Sequence, residues 1–124
     1  KDAQYVLCDG FWSMDFPFAG AKELGERYYE HFKKYSVSVG ALYGLCQILW
    51  QAIEKAGTLD SAKVRQAVLD NEFETVMGKI KYDKDGVAVF TSTASQWWNG
   101  KQMTVYPFKW TDYKIKLAPP WNKR

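Results

Sequence analysis

The stretch that most constrains this chain is Val39 to Gly57, VGALYGLCQILWQAIEKAG, whose apolar pattern is long and regular. Leu42, Leu45, Cys46, Leu49, Ala52, Ile53 and Ala56 recur at the three- and four-residue spacings of one helix face. Val39, Tyr43, Ile48 and Trp50 widen that face until the first three turns are apolar nearly all round, and Gln51, Glu54 and Lys55 mark a solvated edge. The pattern predicts a helix buried inside a domain. Gly57 ends it where a left-handed residue is wanted.

A chain of 124 residues holds one domain with a real core. The formal charge is +3 and the isoelectric point about 8.8, from 17 basic residues scattered along the sequence. Nucleic acid demands a clustered basic stripe, so the charge pattern speaks for solubility and against that partner. Aromatic residues make up 17% of the chain. They fill a core, a binding surface, or both. Cys8 and Cys46 belong to no Cys-x-x-Cys or Cys/His cluster, so zinc and redox motifs are not supported. One disulfide between them is possible in principle; on an apolar helix face Cys46 reads more simply as a buried small hydrophobe. The sequence contains no membrane-spanning run or signal peptide and opens without methionine, which suggests that a preceding segment was removed or left out.

Along the chain, Tyr5 to Cys8 reads as a buried strand ending in an Asp9-Gly10 turn. Gly10 to Gly20, GFWSMDFPFAG, has neither helical nor strand periodicity and reads as a long ordered loop. Ala21 to Tyr35 forms an amphipathic helix with Leu24, Tyr28, Phe32 and Tyr35 on one stripe. Ser36-Val37-Ser38 interrupts two helical patterns and is a hinge candidate. Asp60 is an N-cap for a third helix fading near Asn71, with Leu59 placed to staple onto Val64. Lys79 to Tyr82 alternates like a strand, Asp83 to Gly86 turns, and Val87 to Phe90 is its expected returning partner. The strongest hairpin signal is Asn99-Gly100, between Ser95–Trp98 and Lys101–Tyr106. Tyr113 to Leu117 reads as a further strand before Pro119 and Pro120.

Several stretches together resemble one family. They are YGLCQILWQAIEKAG (Tyr43 to Gly57), the Leu-Asp-x-x-Lys-Val-Arg helix start (Leu59 to Arg65), the Thr-Val-x-Gly-x-Ile-x-Tyr-Asp-x-x-Gly strand and turn (Thr75 to Gly86), the QWWNGKQMTVYPF hairpin and the KLAPPW ending. In that order and spacing they resemble the C-terminal portion of the type I periplasmic substrate-binding proteins of branched-chain amino acid and amide ABC transporters. The resemblance implies an α/β fold of two lobes joined by crossovers, here three helices, short strands and a C-terminal β-hairpin. Residues 1–35 and 90–124 would belong to the second lobe and 38–86 to the first, with hinges near 36–38 and 86–91. It further implies an extracytoplasmic receptor, without cofactor or bond chemistry, that binds an amino acid or amide and delivers it to a membrane permease. The chain departs from the family in length. Most of the first lobe is missing, so flanks of the central helix should lie uncovered and the piece should self-associate.

The candidate ligand contacts lie on the loop behind the first strand, since ligands of open α/β sheets sit beyond the carboxyl ends of strands. Phe11, Trp12 and Phe16 could pack on an apolar side chain and Asp15 could meet an ammonium; alternatively they pad the surface. Ser38 could offer a hydroxyl beside a helix N-terminus to an anion, or simply cap that helix. Asp83, Asp85 and Gly86 fail as a calcium loop, because Lys81 stands at the first ligand position and no Glu follows at the required distance. His31 lies among charged residues without a nucleophile arrangement and reads as solvated. Trp97 and Trp98 point to opposite faces of a strand. No catalytic constellation stands out, which argues for a binding protein and against an enzyme. The alternatives are a ligand-binding sensor domain of the same fold, or an aromatic-rich carbohydrate or protein interaction module.

Overall fold

The computed structural model describes residues 3–123. The chain divides into two compact units: residues up to Phe11 together with those from Ser92 onward, and Trp12–Thr91 between them. The units divide at 11/12 and 91/92, and the first and central helices belong to the same one.

In the Trp12–Thr91 unit, α1 (Ala21–Phe32) is followed by α2 (Val39–Ala56), α3 (Ser61–Asp70) and a hairpin of β2 (Glu72–Thr75) and β3 (Gly78–Lys81). α1 ends earlier than the pattern predicts, because Lys33 adopts a left-handed conformation and its N–H bonds the carbonyl of Tyr29. α2 ends as its sequence demands, Gly57 at φ 64° donating to the carbonyls of Ile53 and Glu54. Asp60 caps α3, its carboxylate accepting the Lys63 N–H at 3.0 Å. Leu59 does not staple: it is 81% exposed.

The face that α2 buries differs from the one expected. Gly40, Gly44, Ile48 and Ala52, spaced four apart, form the inner row, while Leu42, Leu45, Cys46 and Leu49 are exposed. Cys46 is therefore not a core residue, and neither cysteine is in a disulfide. Close approach decides the orientation. Gly40 lies against the Trp12 ring and Gly44 against Met77 and Thr75, contacts that a leucine row would hold too far away. The core proper comprises Ile48, Ala52, Phe73 and Ile80, with Val64, Val68, Met77, Tyr82 and Ala88 packed around it.

Two amides on α2 fix the β2–β3 hairpin. Gln47 Oε1 accepts the Val76 N–H at 2.9 Å, and Gln51 Nε2 donates to the Glu74 carbonyl at 2.9 Å. The turn closes on itself, Thr75 Oγ1 donating to the Gly78 carbonyl with Gly78 at φ 97°. The partner of β3 is thus β2 and not Val87–Phe90, which contributes only a Tyr82–Ala88 bridge. On the solvated side Lys79 lies between Glu74 and Glu72 at 3.1 and 3.3 Å. Its hydrogen bonds to the carboxylates of Glu74 and then Glu72 raise its pKa, though such exposed pairs contribute little stability.

The second unit is an antiparallel sheet in the order β1 (Leu7–Gly10), β4 (Thr93–Trp98), β5 (Lys101–Tyr106). Asp9 and Gly10 pair within β1 and do not turn, and β1 is a half-exposed edge strand instead of a buried one. Gly10 is required where it stands, since an added Cβ would meet Thr93 Oγ1 at 2.7 Å. The β4–β5 hairpin turns at Asn99 and Gly100, φ 49° and 75°, the left-handed pair that a two-residue turn of the primed type needs. Tyr113–Leu117 forms no strand. Buried Gln96 holds that segment instead, its amide bonding both the N–H and the carbonyl of Lys116 at 2.9 Å.

Candidate functional site

The loop from Phe11 to Gly20 is ordered by its aromatic residues. Trp12, 3% exposed, lies flat against Gly40 and donates its indole N–H to the Val76 carbonyl at 3.1 Å. The β2–β3 turn and the start of α2 are thereby joined through one side chain. Phe16 is buried as well and packs edge-on against Phe18 at 6.1 Å, while Phe18 covers Gly78. Ser13 and Asp15 form a local turn, the Ser13 hydroxyl donating to Asp15 Oδ2 at 3.3 Å and accepting the Asp15 N–H at 3.2 Å. The Asp15 side chain is exposed.

The five candidates thus divide. Trp12 and Phe16, expected to face an apolar ligand group, are turned into their own unit, because an indole N–H finds a buried carbonyl and two glycines leave room for rings. Phe11, at the carboxyl end of β1, is 55% exposed. Ser38 occupies the N-cap position of α2 without making a side-chain cap bond; its N–H donates to Ser36 Oγ at 3.2 Å. Its hydroxyl is exposed beside the first-turn N–H groups, an arrangement that favours an anion. The loop and helix start thus expose the Asp15 carboxylate and the Ser38 hydroxyl.

Three residues that position this loop were not singled out from sequence: Gly40, Gln47 and Val76. Gly40 and Gly44, four apart in a bulky helix, were the available signal for a close neighbour. The Val76 carbonyl gives no sequence signal at all.

No family model matches the sequence. Solved structures do. The chain superposes on a leucine binding protein from Thermotoga maritima with TM-score 0.69 at 21% identity, covering 84% of this chain and 31% of that one. A periplasmic binding protein from Burkholderia mallei gives TM-score 0.66 at 20% identity, over 76% and 25%. An ABC transporter solute binding protein from Rhodopseudomonas palustris, in complex with 3,4-dihydroxybenzoic acid, gives 0.66 at 19%, over 82% and 30%. The chain therefore has an α/β fold matching part of the type I periplasmic-binding-protein architecture, and spans about a quarter to a third of the length of these structures.

Proposed function

We propose that this chain is the C-terminal portion of the solute-binding component of an ABC uptake transporter, outside the cytoplasm, holding a small amino acid or amide between two lobes for a membrane permease. The observation that carries the reading is the fold match over 84% of the chain to a leucine binding protein. No described helix is long and apolar enough to cross a membrane. On this reading the complete protein hinges near 36–38 and 86–91, Phe11 meets the solute's apolar part, Asp15 its ammonium and Ser38 an anionic group. Trp12 and Phe16 support the loop from behind. The aromatic acid bound in one matched structure adds hydroxybenzoates to the solutes worth testing.

Calorimetry on the protein containing both lobes, with leucine, valine, short amides and a hydroxybenzoate, should give saturable binding of at least one. The Phe11→Ala substitution should weaken it roughly tenfold, the value of one lost side-chain contact. Silence toward all of them would remove the reading.

We further propose that the 124-residue chain self-associates through the exposed α2 row of Leu42, Leu45 and Leu49, which are 65%, 56% and 50% exposed. Burying such a row is favourable at roughly 25 cal/mol per Å². Sedimentation velocity should show a concentration-dependent dimer that Leu45→Glu returns to monomer, and a monomeric parent chain at high concentration would refute it.

A further inference from the structure

The sheet unit carries a second candidate site, built from residues that take no part in the first. A depression of about 480 Å³ is lined by Ala3, Gln4, Trp97, Asn99 and Gly100, within the size range of small-molecule sites. The two neighbouring tryptophans of β4 have different fates. Trp98 is committed: Tyr5 meets it edge-on at 5.3 Å and Lys116 Nζ lies 3.5 Å from its ring centroid. Trp97 is half-buried, and among the described residues its ring meets no other ring or cation and its indole N–H has no partner. Around it are two amides held in place by the hairpin. Gln4 is fixed through Oε1, which accepts the Asn99 N–H at 2.9 Å; among the described residues its NH₂ group has no partner, and neither has the side-chain amide of Asn99, a residue locked at φ 49°.

Among the described residues the lining thus offers one aromatic face, three unused N–H donor groups, a carbonyl acceptor and no charge. An amino acid would leave both its charges unpaired there. A neutral ring bearing many hydroxyls fits: its C–H face stacks on the indole while its hydroxyls exchange hydrogen bonds with planar amides. We propose that Trp97, Gln4 and Asn99 form a surface subsite for a neutral saccharide.

The test is titration of the chain with maltose and with cellobiose, followed through indole and side-chain amide resonances, with glycerol and leucine as controls. The Trp97 indole N–H and the Gln4 and Asn99 amides should shift saturably with a disaccharide and not with the controls. Trp97→Ala should weaken binding roughly tenfold, and Trp97→Phe should retain most of it. Asn99→Gly, which keeps the left-handed turn, should weaken binding while the hairpin resonances stay in place. Absence of disaccharide shifts at these three residues, equal binding by Trp97→Ala, or the same shifts with leucine or glycerol would each overturn the proposal. The outcome is independent of the transport reading, which concerns other residues and other solutes.

Discussion

Gly40→Ala should unfold the helical unit in urea at a midpoint lower by the equivalent of about 2–4 kcal/mol, although alanine is the better helix former by about 1 kcal/mol. The reason is a single contact. A methyl group at position 40 would fall within the indole of Trp12, which is 3% exposed and anchored to the Val76 carbonyl. The ring must leave, and removing a buried tryptophan from its place costs about 3–5 kcal/mol. All three α-helices among the described residues lie in the Trp12–Thr91 unit, so the far-UV α-helical signal reports this unfolding directly. Trp12→Ala alone should cost a similar amount. In the Trp12→Ala background the sign should reverse, Gly40→Ala becoming neutral or mildly stabilising because the helix propensity gain is then unopposed. Additive losses in the double variant would mean that the two residues do not share this contact.

Phe73→Ala should be as damaging, at about 3–5 kcal/mol, for a different reason. Phe73 is fully buried and touches a core built from only two helices and one hairpin: Ile48 and Ala52 on α2, and Ile80 on β3, with Val64 and Val68 of α3 beside them. A two-stranded sheet cannot collapse around the vacated volume without losing the Gln47 and Gln51 bonds that tie it to α2. Against a whole-domain stability of roughly 5–15 kcal/mol, a loss of this size should lower the urea midpoint steeply. A change under about 1 kcal/mol would show that this cluster is not what holds the helices to the hairpin. Leu45→Ala provides the contrast, since its side chain is 56% exposed and its loss should leave the midpoint of the monomeric form nearly unchanged.

The limits of α2, the Asp60 cap and the Asn99-Gly100 hairpin were legible in the sequence because each rests on local chemistry: a left-handed glycine, a carboxylate three residues from an N–H, a turn with φ above zero twice. The orientation of α2 was not. A helix apolar nearly all round gives its periodicity little power to choose a face, and the choice fell to Gly40 and Gly44, whose value is the space they leave. β2 escaped notice because Glu72 and Glu74 dominate its composition, although Phe73 and Thr75 alternate inward with them. Val87–Phe90 has the composition of a strand but pairs through a single bridge, Ala88 with Tyr82.

The candidate site was half legible. The loop after β1 was found from its position and its aromatic content. Which of its rings face solvent depended on a hydrogen bond between residues 64 apart, Trp12 to Val76, and no local pattern encodes that.

The pairing of β1 with β4 has a consequence for how the chain assembles. Cys8 and Ser95 meet across 87 positions of sequence, and closing so long a loop from a disordered chain costs about 4 kcal/mol of entropy beyond a constant. The elements enclosed by that loop are joined by short connections and close at far smaller cost. Helices and hairpin should therefore form before the β1–β4 seam, which closes more cheaply once the intervening polypeptide has shortened the search. A nascent chain would hold β1 idle until β4 had been synthesised, with the half-exposed side chains of that edge strand open to other contacts for the interval.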